Sequence, residues 1–132
     1  MTFVSKIDFP IMSMWGAGVE FIAVINEQGR VEEHVCKSDI PLGLDKKEIF
    51  FMGLRLQKNM QADFDEFLGP ADYTVTRRGN LKFVSVPFYS KIIFAVLDKE
   101  KNHHNIVRKI ASLAKSVKAM RGKISKEEEM NN

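Results

Sequence analysis

One cysteine, one tryptophan and four prolines stand in a chain of 132 residues. A single cysteine excludes an intrachain disulfide and a four-cysteine zinc site. No apolar run approaches the roughly 18 residues that cross a bilayer, so no transmembrane helix is expected. Lys6, Asp8 and Pro10 interrupt the apolar stretch that a secretory signal would need. A cytoplasmic protein is the expectation, and a lone thiol suits a reducing compartment. A strong charge of one sign is also lacking: 20 basic and 17 acidic residues leave +3. That total alone marks no nucleic-acid binder. What remains is the balance of a globular domain, with 45% hydrophobic and 28% charged residues. A chain of this size buries roughly two thirds of its unfolded surface and needs no staples.

The apolar pattern divides the chain into elements. Val19 to Asn26 is a β-branched apolar run that ends in Glu27-Gln28-Gly29-Arg30, a hairpin turn. Val31 to Cys36 alternates apolar and polar residues and completes the hairpin. Asp45 begins a helix with Glu48 at capping-box spacing, and Gly69-Pro70 stops it. At 100° per residue, Ile49, Met52, Leu56, Met60, Phe64 and Phe67 form one stripe, expected to face the core. Gly53 lies on that stripe and would let the helix approach its neighbour. Tyr73–Arg77 and Leu81–Val86 form a second hairpin around Arg78-Gly79-Asn80, with Pro87 expected at a bulge or sheet margin. Ile92–Leu97 is apolar on both faces. A last helix follows, capped by Asn102 or Asn105, with Ile106, Val107, Ile110, Leu113, Ala114 and Val117 on its apolar arc.

Position in the sheet follows from composition. The two runs apolar on both faces belong at the centre, and the alternating strands at the edges. With sequential hairpins this predicts an α+β domain with a five-stranded antiparallel sheet in the order 2-1-5-4-3. The single domain spans residues 19–120. An irregular or short N-terminal segment (1–18) and a flexible charged tail (121–132) flank it.

Phe21-Ile22-Ala23-Val24-Ile25-Asn26-Glu27-Gln28-Gly29-Arg30, the helix from Asp45 and the run Leu81 to Leu97 resemble the roadblock/LC7 group of the profilin-like fold. The likeness covers roughly residues 19–118 and looks closest to archaeal members. A PAS-type sensor would place several short helices where one long helix stands here. Roadblock domains usually begin with a helix, whereas Phe3 to Trp15 contains Pro10 and runs into Gly16 and Gly18. The resemblance implies a non-enzymatic regulatory or scaffolding protein, a homodimer, and a protein partner such as a small GTPase. It implies no cofactor.

Several residue groups are candidate sites. Phe50, Phe51 and Leu54 lie roughly 100–200° from Ile49 on the helical wheel and form an apolar group beyond the stripe. They suit a dimer interface, or cover by another segment of the chain. From Lys99 to Lys126 stand nine cations and one acid, followed by Glu127, Glu128 and Glu129. Arg108, Lys115, Lys118, Arg121 and Lys123 could meet nucleic acid, an anionic surface or an acidic partner; the bland alternative is a solvated helix face. No aromatic residue lies in that segment to stack on a base. Arg77 and Arg78 form a basic hairpin tip able to hold an anion. Metal binding would need His34 and Cys36 to meet His103 and His104 from a distant segment, so no metal site is expected. A G-x-S-x-G elbow and a P-loop are both absent, and no enzyme is expected. A small-ligand sensor is a further alternative.

Overall fold

The computed structural model describes residues 18–115. Its strands are β1 (Val19–Ile25), β2 (Val31–Cys36), β3 (Thr74–Arg78), β4 (Leu81–Phe88) and β5 (Lys91–Asp98). Helix α1 (Leu44–Ala62) and the short α2 (Asp65–Leu68) lie between β2 and β3, and residues 103–115 form α3. The strands make one antiparallel sheet in the order β2-β1-β5-β4-β3, as the sequence predicts.

Burial explains the order. Every residue from Phe21 to Ile25 and from Ile92 to Leu97 is buried, so both strands need cover on both faces. Alternation sends Ile22, Val24, Ile93, Ala95 and Leu97 to the α3 side, where Ile106 and Ile110 meet them. Phe21, Ala23, Ile25, Ile92, Phe94 and Val96 go to the α1 side, where Phe51 meets them. A bulge at Glu20 shifts the register between Val19 and Phe21 and turns Val19 to the α3 side. The Glu20 carbonyl at that bulge accepts from the backbone N–H groups of Lys37 and Ser38, at 2.8 and 3.1 Å.

Turns close the frame. The Asn26 side-chain oxygen accepts from the N–H groups of Gln28 and Arg30, each at 3.0 Å. Gly29 has φ +78°, and a Cβ there would lie 2.9 Å from the Met52 backbone. Two residues, Tyr89 and Ser90, join β4 to β5, and Tyr89 takes φ +55°, uncommon for a bulky residue. Its hydroxyl donates to the Ala114 carbonyl of α3 at 3.2 Å. Arg55 of α1 donates to the Ser90 carbonyl at 2.7 Å, and the Ser90 hydroxyl donates to Glu27 at 2.6 Å. The β4–β5 turn thus ties α1, α3 and the first hairpin together. Pro87 pairs with Ile92 beyond the last residue that β3 engages, so its missing N–H leaves no ladder bond unmade.

Two helix boundaries differ from expectation. The capping box does not form: Gly43 precedes the helix, which begins at Leu44 without a side-chain cap. Asp45 sits instead in the first turn, where its charge favours the helix dipole. Nor does α1 run to Gly69. Asp63 and Phe64 donate three residues back, to Met60 and Gln61, which tightens and ends the helix. The α2 turn follows and stops at Gly69, φ +84°. At α3, the Asn102 side chain accepts from the His104 N–H at 2.8 Å, as a cap should.

Replacing Gly29 by Ala combines a left-handed φ with a backbone clash. Urea unfolding is expected to show a loss of about 1–3 kcal/mol with an unchanged m-value. Phe51→Ala opens a core void between α1 and the sheet and is expected to cost about 3–5 kcal/mol in the same assay.

Candidate interaction surfaces

Helix α1 presents the opposite face to the one the wheel suggests. Phe51 is only 4% exposed and sits in the core, while Phe50 and Leu54 pack against the same cluster. The Phe50 ring lies 5.7 Å from Phe83 and 5.7 Å from Phe94, and Phe51 lies 6.2 Å from Phe21. These three residues, expected as a dimer interface, are therefore covered by the sheet of their own chain. The physical reason is the sheet surface itself: Phe83 and Phe94 take the Phe50 and Phe51 rings edge-on, and Phe21 stacks on Phe51. Lys47 and Arg55 flank the buried arc and are held by Asp39 and the Ser90 carbonyl.

The stripe expected to be core is the exposed one. Ile49 is 69% and Met60 68% exposed, with Met52 and Leu56 between them. Phe64, Phe67 and Leu68 continue this apolar surface past the end of α1. Gly53 has nothing within 4 Å of where a Cβ would stand, so it mediates no close approach. Strand β3 follows as a sheet edge, bonded among the described residues to β4 alone.

Arg77, Arg78, Arg108 and Lys115 are exposed and form no ion pair among the described residues. Lys118, Arg121 and Lys123 lie outside the described residues, as do the N-terminal segment and the tail. Arg77 is directly opposite Lys82 on β4. The Lys82 ammonium donates to the Lys101 carbonyl at 2.8 Å, and Lys99 N–H donates to the Asn80 carbonyl at 2.9 Å. The basic hairpin tip is thereby joined to the basic entry of α3. Tyr73 completes the group, with its ring 5.8 Å from His103 and 6.4 Å from His104. No local pattern marks this ring, because its partners lie 30 residues further along the chain.

His34 and Cys36 lie on β2, at the opposite edge of the sheet from this group. The His34 ring stacks on Phe21 at 5.9 Å. Among the described residues no three candidate ligands gather to hold a metal. Asp63, Asp65, Glu66 and Asp72 are all exposed. On the α1 side, an open cleft of about 240 Å³ is lined by Glu20, Ser38, Asp39, Ile40, Leu81, Val96 and Asp98. Lys47 bonds to Asp39 there and holds its carboxyl below the usual carboxylate range. No described helix is long and apolar enough to cross a membrane.

A five-stranded antiparallel sheet in this order, with helices packed on it, is the roadblock/LC7-like fold. No protein-family model matches the chain, and no curated protein matches it in sequence. Solved structures do. A Roadblock/LC7 domain from Streptomyces avermitilis is similar at a TM-score of 0.61 and 13% identity, over 88% of this chain and 98% of that one. MglB from Myxococcus xanthus is similar at 0.61 and 6% identity, over 80% and 85%. A structure described as MglB with tetrameric arrangement is similar at 0.58 and 13%, over 74% and 76%. At such identities the likeness is one of fold.

Local charge is legible at His103. Its pKa is held below the ordinary histidine value, first by partial desolvation and then by the positive charge of His104 and Lys82. A lowered folded-state pKa means the folded chain binds fewer protons than the unfolded one. Stability from this group is therefore intact above about pH 6.5 and declines as pH falls below it. An NMR titration is expected to place the His103 midpoint under 6.5, and Lys82→Met is expected to move it upward.

Proposed function

We propose that this chain is a non-enzymatic regulatory or scaffolding domain that works as a homodimer and binds a protein partner, a small GTPase foremost. The observation that carries the reading is the apolar surface of α1. Ile49, Met52, Leu56 and Met60 form a continuous exposed stripe, which Phe64, Phe67 and Leu68 extend. Single exposed apolar residues need no explanation, but a contiguous row of this kind marks an interface. A helical stripe is self-complementary across a twofold axis, so a second copy of the chain can cover it. The β3 edge, short and bonded on one side, offers backbone groups for pairing between copies.

Fold likeness supports the same direction. One structural neighbour is described as a tetrameric arrangement of MglB, so this architecture serves in at least one assembly. The resemblance to roadblock/LC7 domains implies binding or regulation of a small GTPase, and the working environment proposed here is the cytoplasm. The dimer contact would use α1 and β3, leaving the rest of the apolar row for the partner.

Light scattering at about 100 μM chain is expected to give the mass of two chains. The double variant Ile49→Lys, Leu56→Lys is expected to remain folded and to dissociate at least about tenfold more readily, because each charge is buried unpaired in the dimer. A wild-type chain that stays monomeric at that concentration removes the homodimer reading.

A further inference from the structure

The α3 side of the sheet carries a second surface that the dimer reading does not use. Val75 packs into the same core as Val107 of α3. It fixes the α3-facing side of β3, and Arg77, two residues on, shares that side. Lys82 lies beside Arg77 in register. The Lys82 ammonium spends one hydrogen on the Lys101 carbonyl and keeps two donors. The Lys99 backbone N–H donates to Asn80 at the same hairpin tip, and Arg108 is exposed on α3, whereas Arg78, opposite Leu81, faces the α1 side.

Rings stand beside these cations. Tyr73 is 37% exposed, and its ring meets His103 and His104, which lie 4.4 Å apart. Along an extended chain, Tyr73 and Arg77 are separated by about 13 Å, room for a stacked base and its adjoining phosphate. The nearby acids do not cancel the charge. Asp98 pairs with Leu81 and lines the cleft on the α1 side, which leaves Asp72 and Glu100 among the described residues.

We propose that this ring-and-cation platform binds single-stranded nucleic acid, with a base stacked on Tyr73 and backbone phosphates against Arg77 and Lys82. Aromatic faces flanked by cations are how single strands are held without sequence preference. A duplex hides its base faces and would leave the rings unused. A bilayer surface would call for apolar side chains to insert. Among the described residues, the exposed large apolar ones are instead those of α1, α2 and their flanks, apart from Tyr73 and Tyr89.

The test is fluorescence anisotropy of a labelled oligothymidine of about 20 nucleotides with the full chain. With two or three phosphate contacts, affinity is expected to fall about 7- to 20-fold between roughly 50 and 200 mM salt. Tyr73→Ala is expected to weaken binding about fivefold or more, Tyr73→Phe to preserve it, and Arg77→Ala with Lys82→Ala to flatten the salt slope. Far-UV circular dichroism checks that each variant is folded. Unlabelled single strand should displace the probe, while equal phosphate as duplex or as phosphatidylserine vesicles should not. Absence of binding at 50 mM salt overturns the proposal. So does binding insensitive to Tyr73 and to the Arg77–Lys82 pair, which would place the contact at residues 116–132. Equal displacement by duplex or vesicles overturns it as well.

Discussion

Strands β1 and β5 pair antiparallel down the middle of the sheet, and both bury side chains on both faces. That double burial is the constraint on which the molecule depends. Neither strand can lie at an edge, and neither face can be left open to water. One face demands α1 and the other demands α3, so two cores form on a shared sheet. The hydrophobic gain on each side is non-directional, but the strand period of two makes it unambiguous which residue serves which core.

The outer parts of the structure follow from that centre. The two hairpins add β2 and β4 to it, and β3 takes the last edge. The β4–β5 turn then becomes a junction. Tyr89 reaches α3, Ser90 is held by α1, and Glu27 comes from the first hairpin. A tyrosine at positive φ costs of order 1–3 kcal/mol, and its contacts at both ends are what keep it there. Interaction surfaces are what these demands leave over. The α1 stripe is apolar and faces away from one core. The Tyr73–Arg77–Lys82 group is polar and lies at the margin of the other. The two differ in chemistry and lie on opposite faces, so they suit different ligands.

Most of the fold was legible before the structure. Val31–Cys36 was bounded correctly at both ends, and the other strands to within a few residues, because alternation and glycine turns are local signals. The unusual 1–5 adjacency was legible as well, since two runs apolar on both faces can only be neighbours at the centre. The sides of α1 were not. A wheel shows two apolar arcs on that helix and takes the longer one for the core. The shorter arc, Phe50, Phe51 and Leu54, won because the rings of Phe21, Phe83 and Phe94 wait on the sheet to receive it. The capping box failed for a related reason: spacing allows such a cap, but the entering chain fixes where the helix starts.

The amino-acid sequence by itself determined the strand order, the two-sided burial of the central strands and the fold class. These follow from periodicity and composition, which each segment carries within itself. Only the tertiary structure decided which face of α1 is spare, and that Tyr73 meets the two histidines at the start of α3. Both depend on which surface a segment finds opposite it. A helix with two apolar sides or an isolated tyrosine holds no record of its future neighbour, so chain geometry alone could make those assignments.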